Sequence, residues 1–72
     1  MNDPKKQGRK HAEWLIGGLQ CSIYTSLEHA IHENEKIIEI YKANGTNAEY
    51  IIFTQAIVDR LKKELETQNL DK

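Results

Sequence analysis

Side chains that could bind a metal ion lie close together between residues 21 and 32. Glu28 and His32 are four residues apart, so they share one face of a helix, and Cys21 lies two turns before Glu28 on nearly the same line. His29 and His32 form a second pair. One copy of the chain would still supply too few ligands for a metal ion, and a second copy could supply the rest across a symmetry axis. Solvated histidines that respond to pH are the alternative, and we predict no metal site.

The same segment holds residue types used in nucleophilic catalysis, namely Ser22, Thr25 and His29. The sequence contains no Gly-rich phosphate loop, no nucleophile elbow and no repeated Cys motif. A helix surface also offers no pocket that excludes water. We therefore predict that the protein is not an enzyme and carries no cofactor.

The positions of these side chains depend on a chain reversal at Asn44-Gly45-Thr46. A helix that ends at Lys42 or Ala43 can use Gly45 as its left-handed exit residue. The residues that follow predict a capping box, in which the Thr46 hydroxyl accepts from the Glu49 N–H and the Glu49 side chain returns to the Thr46 N–H. So short a connection makes the two helices antiparallel neighbours.

Apolar residues recur at helical spacing on both sides of this turn. The pattern predicts helix 1 over Ala12–Lys42, roughly 45 Å long, and helix 2 over Asn47–Thr67, roughly 30 Å long, at about 1.5 Å per residue. Gly17-Gly18 is either a kink in helix 1 or the point after which it begins. The predicted fold class is all-α, an antiparallel helical hairpin with a long first and a shorter second helix.

The longer helix extends past its partner and leaves an apolar cluster uncovered, which usually marks an interface. A two-helix chain also encloses too little core to be stable alone. Asn34 lies within an apolar row, where it either fixes the register between copies or sits at the rim. We predict a homodimeric four-helix bundle or a higher oligomer, with an interface of Trp14, Leu15, Ile16, Leu19 and Asn34.

Composition narrows the class of protein. With 72 residues, 39% hydrophobic and 29% charged, the chain has the size and make-up of one globular domain. No apolar run is long enough to span a bilayer, and no signal-peptide core follows the charged N-terminus. A single cysteine cannot form an internal disulfide. We expect a cytoplasmic protein with no membrane contact.

Charge is unevenly distributed along the chain. Residues 1–11 hold four basic residues and one acid, whereas residues 12–49 hold six glutamates and two lysines. We predict a disordered basic arm over residues 1–11 and a single helical domain over residues 12–72. An arm that holds phosphate or nucleic acid is the alternative. Basic residues in the folded part are few and matched by acids, so we do not expect a nucleic-acid groove.

The stretch Cys21–Ile31, with its Thr25-x-Leu27-Glu28-x-Ala30 run, resembles the helix of small phage anti-CBASS proteins. The match covers about eleven of the 72 residues. It implies a homo-oligomer that sequesters a cyclic nucleotide. Aromatic residues would then stack a base and the basic arm would hold phosphates. The ligand-binding residues that the resemblance implies are Tyr24, Thr25, Glu28, Lys10 and Arg9, with Tyr50 or Trp14 as further stacking residues.

A second stretch, Thr54-Gln55-Ala56-Ile57-Val58-Asp59, is similar to the Ser-Gln-x-Leu-Asp motif of Spo0E-like aspartyl-phosphate phosphatases. The spacing between Gln55 and Asp59 is one residue longer than in that motif. This resemblance implies a hairpin that acts on a signalling protein.

From the first resemblance we predict a small homo-oligomeric binding protein, a regulator or inhibitor that sequesters a cyclic nucleotide in phage anti-defence. The alternative is a protein-binding regulator of a bacterial enzyme, signalling or transcription component.

Overall fold

The computed structural model describes residues 3–18 and 26–70. Three helices lie within them: α1 (Pro4–Gly17), α2 (Leu27–Ala43) and α3 (Ala48–Leu70), and these described residues contain no strand. The all-α prediction is confirmed. The prediction of a two-helix hairpin is wrong, because two helices occupy the region assigned to one long helix.

Helix α1 forms where the sequence predicted a disordered arm, and that prediction is wrong for residues 4–11. Asp3 caps the helix by accepting from the Lys6 N–H at 3.2 Å, and Pro4 takes the first helical position, where its fixed φ suits the helix. The buried residues of α1 are Gly8, Ala12 and Leu15, four and three residues apart. Contact along this stripe orders the basic segment.

The two glycines at residues 17 and 18 end α1. Gly17 is its last residue and Gly18 its cap, with the Gly18 N–H donating to the Trp14 carbonyl at 3.0 Å. Helix α2 begins anew after Ser26, whose hydroxyl accepts from the His29 N–H at 3.1 Å. The part of predicted helix 1 that spans residues 19–25 lies outside the described residues.

The predicted reversal at Gly45 is confirmed. Gly45 has φ +67°, its N–H donates to the Lys42 carbonyl at 3.4 Å, and the Thr46 N–H donates to the Tyr41 carbonyl at 2.9 Å. The capping box at Thr46 is not formed. The Asn47 side chain accepts from the Glu49 N–H at 2.9 Å, and the Thr46 N–H donates to the Tyr41 carbonyl and not to Glu49.

Both α1 and α2 pack against α3. Gly8 lies against Phe53 and Ala56, and Glu13 lies near Arg60, one to two turns further along both helices. Helices α1 and α3 therefore run in the same direction.

Helix α2 runs opposite to α3. The Tyr41 and Tyr50 rings meet beside the turn with centroids 6.3 Å apart. Further from the turn, Glu35 Oε2 lies 3.2 Å from Lys62 Nζ. The core collects buried apolar residues from all three helices: Ala12, Leu15, Leu27, Ala30, Ile31, Ile38, Ile57, Val58 and Leu61. Among the described helices, none combines the length and apolarity needed to cross a bilayer.

Candidate functional site

A groove of about 600 Å³ runs between α1 and α3. Helix α1 contributes residues at four-residue intervals, which place three charged side chains in one row along its edge. Helix α3 contributes charged residues on the facing edge. We call this the α1–α3 groove, and it is lined by Lys5, Arg9, Glu13, Ala56, Asp59, Arg60, Lys63, Glu64 and Thr67.

The acidic groups of the groove are engaged within the protein. Arg60 lies between two of them, with its Nε 3.9 Å from Glu13 Oε1 and its Nη2 3.4 Å from Glu64 Oε1. Asp59 accepts from Gln55 Nε2 at 2.9 Å. Arg60 thus joins α1 to α3, and its charge is used in ion pairs.

The remaining cations of the groove are Lys5, Arg9 and Lys63. None of them lies within ion-pair distance of a carboxylate in the part of the chain that the structure describes. All three side chains are exposed. The groove is lined by four cations and three carboxylates, which leaves a formal surplus of one positive charge. This positive potential favours an anion beside the three cations that have no carboxylate partner among the described residues.

The structure places the predicted ligand-binding residues apart. Arg9 lines the groove, whereas Lys10 is exposed on another face of α1 and Glu28 is exposed in the first turn of α2. Of these three residues, Arg9 is the one that lines the α1–α3 groove. Tyr24 and Thr25 lie outside the described residues.

The residues predicted for the oligomer interface differ in their exposure. Trp14 is 69% exposed, as an interface residue would be before association. Leu15 is a core residue with 4% exposure, and Ile16 is partly buried against the core. The prediction of an uncovered cluster is wrong for Leu15, because α1 packs along α3 instead of extending α2. Leu19 lies outside the described residues.

Asn34 is buried, with 5% exposure. Its Nδ2 donates to the Ala30 carbonyl at 2.7 Å, one turn earlier in α2. The Asn34 side chain is therefore satisfied within its own helix, so the structure does not place it at an interface between copies.

His29 takes part in a surface network on α2. His29 Nε2 lies 3.5 Å from Glu33 Oε1, and Lys36 Nζ lies 3.8 Å from the same oxygen. Within residues 3–18 and 26–70 there is no cluster of three metal-ligating side chains. Cys21, the third member of the predicted metal edge, lies outside the described residues.

Sequence reasoning missed Lys5 and Lys63 as groove residues. The i, i+4 row of Lys5, Arg9 and Glu13 is present in the sequence, but it places these side chains on one edge only if the segment is helical, whereas its composition predicted disorder. The contribution of Lys63 depends on the packing of α1 against α3, which local spacing does not specify. Comparisons with protein-family models, curated proteins and solved structures found no match to this chain.

Proposed function

We propose that this chain is a small non-catalytic binding protein that holds a phosphate-bearing small molecule in the α1–α3 groove. The observation that supports this proposal is the arrangement of charge. Arg60 lies beside both Glu13 and Glu64, whereas Arg9 and Lys63 have no carboxylate partner among the described residues. Multivalent oxyanions suit such a set, because arginine presents a planar fork and lysine a point charge.

The exposure of these cations sets the expected affinity. An exposed ion pair contributes only about 0.2–1 kcal/mol. Three such contacts to inorganic phosphate contribute at most about 3 kcal/mol, which corresponds to a dissociation constant of roughly 5 mM or weaker. Two or more phosphates on one ligand would engage both edges of the groove and bind more tightly. Binding should weaken as ionic strength rises, because exposed charges are screened.

A cyclic nucleotide is the finer form of this proposal, and the resemblance to anti-CBASS proteins supports it. The groove offers phosphate contacts through Arg9, but no aromatic side chain lines it among the described residues. A base would have to stack on an aromatic residue outside this lining, for which the resemblance names Tyr24, Tyr50 or Trp14. Binding of a cyclic nucleotide more tightly than pyrophosphate would support the finer form; equal binding would restrict the proposal to phosphate recognition.

The alternative function, a protein-binding regulator, has less structural support. The residues that the Spo0E-like resemblance brings forward are Gln55 and Asp59, which bond to each other at 2.9 Å on an exposed face of α3. This contact uses the amide donor and a carboxylate oxygen within one helix. We therefore place the proposed function in the groove.

The test compares two double variants with the same charge change. Arg9→Gln/Lys63→Gln removes two groove cations, whereas Lys6→Gln/Lys10→Gln removes two cations of α1 that do not line the groove. Calorimetric titration with pyrophosphate should show roughly 2- to 25-fold weaker binding to the groove variant, from about 0.2–1 kcal/mol per lost pair, and unchanged binding to the control. Equal weakening of both variants, or of neither, would reject the groove as the site. Circular dichroism should show native helix content in each.

A further inference from the structure

The face of α1 that points away from α3 carries an exposed indole that follows two basic side chains. Trp14 is 69% exposed, and Lys10 precedes it by four residues, so both side chains lie on one face. Lys6 lies one further turn back. Neither lysine is within ion-pair distance of a carboxylate in the described parts of the chain. We call Lys6, Lys10 and Trp14 the α1 outer face.

A second surface, on α2, presents isoleucine and carboxylate side chains where the α1 outer face presents tryptophan and lysine. A shallow groove of about 500 Å³ lies along the helix, with two isoleucines at its centre and charged residues at its edges. Ile40 is 56% exposed. We call this the α2 groove, and it is lined by Glu33, Lys36, Ile37, Glu39 and Ile40.

The two carboxylates of the α2 groove differ in whether a cation lies near them. Glu33 lies near both His29 and Lys36, at 3.5 and 3.8 Å. Glu39 lies within ion-pair distance of no cation in the described residues. Glu39 therefore offers an unneutralised negative charge beside the exposed side chain of Ile40.

These two surfaces are complementary but do not meet within one chain. Helices α1 and α2 each pack on α3. The ion pairs between helices of the described residues join α1 to α3, through Glu13 and Arg60, or α2 to α3, through Glu35 and Lys62. A basic surface with an exposed indole and an acidic surface with exposed isoleucine thus both face outward.

We propose that a second copy of this chain brings the two surfaces together, with Trp14 of each copy in the α2 groove of the other and Lys10 against Glu39. The contact is reciprocal, so two copies form a closed twofold dimer. Charge complementarity identifies the partner, because one chain carries both halves of the contact. The proposal does not use Arg9 or Lys63, so it does not depend on anion binding in the α1–α3 groove.

The size of the contact sets its strength. A tryptophan side chain buries roughly 150–250 Å². Two reciprocal Trp14 sites therefore bury several hundred Å², less than the roughly 1,200 Å² at which stable specific interfaces begin. We expect a weak dimer that forms in the high micromolar range.

The first experiment uses the single tryptophan of the chain as a probe. Raising the protein concentration should increase the mass in sedimentation equilibrium from monomer to dimer and shift Trp14 emission to shorter wavelength. Ile40→Ser should abolish both changes. The matched control is Ile52→Ser, which alters an isoleucine that is 43% exposed and outside the α2 groove; it should dimerise like the unmodified protein.

A charge exchange then tests the pairing of Lys10 with Glu39. Lys10→Glu and Glu39→Lys should each raise the dimer dissociation constant by at least roughly two- to thirtyfold, because each removes two symmetric ion pairs of about 0.2–1 kcal/mol and puts like charges in their place. The double variant Lys10→Glu/Glu39→Lys should restore dimerisation. A monomer at about 1 mM, growth beyond a dimer, or a double variant no better than the single ones would overturn the proposal. Pyrophosphate titration of the same variants keeps the two proposals separate, since their α1–α3 groove is intact.

Discussion

Replacing Gly8 by alanine should loosen the contact between α1 and α3. A Cβ atom at Gly8 would lie 2.7 Å from the Cβ of Ala56 and would overlap the carbonyl oxygen of Phe53. Neither group can rotate away, because one is backbone and the other is the first atom of a side chain. Relief to an ordinary separation of about 3.5–4.0 Å requires α1 to move outward by roughly 1 Å.

The free energy of unfolding should fall by about 2 kcal/mol. Overpacking of this kind costs about 1–3 kcal/mol, and we take the upper end because both opposing atoms are fixed. A gap of about 0.5–1 Å along the helix contact also forfeits about a quarter to a half of each dispersion well. The better helix propensity of alanine returns about 1 kcal/mol. For a domain of this size the net loss lowers Tm by about 8–16 °C.

Thermal unfolding followed by circular dichroism measures this loss, with Gly17→Ala as the matched control. Gly17 belongs to the same helix, but a Cβ there meets no atom within 4 Å. The control should be unchanged or more stable by up to about 1 kcal/mol. If Gly8→Ala melts at or above the temperature of the unmodified protein, α1 does not pack on α3 as closely as described.

Three further substitutions test the local structure by thermal or denaturant unfolding. Ser26→Ala removes the cap of α2, in which the hydroxyl accepts from the His29 N–H, and should cost about 1 kcal/mol; no change would mean that the cap contributes nothing. Gly45→Ala forces a side chain into φ +67° and should cost about 1–2 kcal/mol, whereas equal stability would show that the turn has another conformation. Leu61→Ala empties a position with 0% exposure and should cost about 2–5 kcal/mol; a loss below 1 kcal/mol would contradict its place in the core.

The parts of the fold that depend on local chemistry were predictable. The reversal at Gly45 rests on one residue that tolerates a left-handed backbone, and that residue has φ +67°. The second predicted helix, Asn47–Thr67, corresponds closely to α3, Ala48–Leu70. Periodicity predicted α3 because its apolar stripe repeats without interruption.

Helix α1 was not predictable in the same way, because its signals have two meanings. Pro4 and Gly8 in a basic segment are typical of disorder, yet Pro4 also suits a first helical position and Gly8 a close helix contact. Only the position of Phe53 and Ala56 decides between these meanings. The same packing places Leu15 in the core instead of at an interface between copies.

The close approach at Gly8 also explains how α1 can present the two surfaces proposed above on different sides. Gly8 fixes the side of the helix that faces α3, and each residue turns about 100° around the axis. Arg9 therefore lies on the edge that borders Lys63, whereas Lys10 lies a further 100° away, on the side that carries Trp14. Two chain neighbours with the same charge thus lie on different surfaces, Arg9 in the α1–α3 groove and Lys10 on the α1 outer face. Moving α1 outward with Gly8→Ala should weaken pyrophosphate binding, because the two edges of the groove separate, and should preserve the Lys10 surface as long as α1 stays helical.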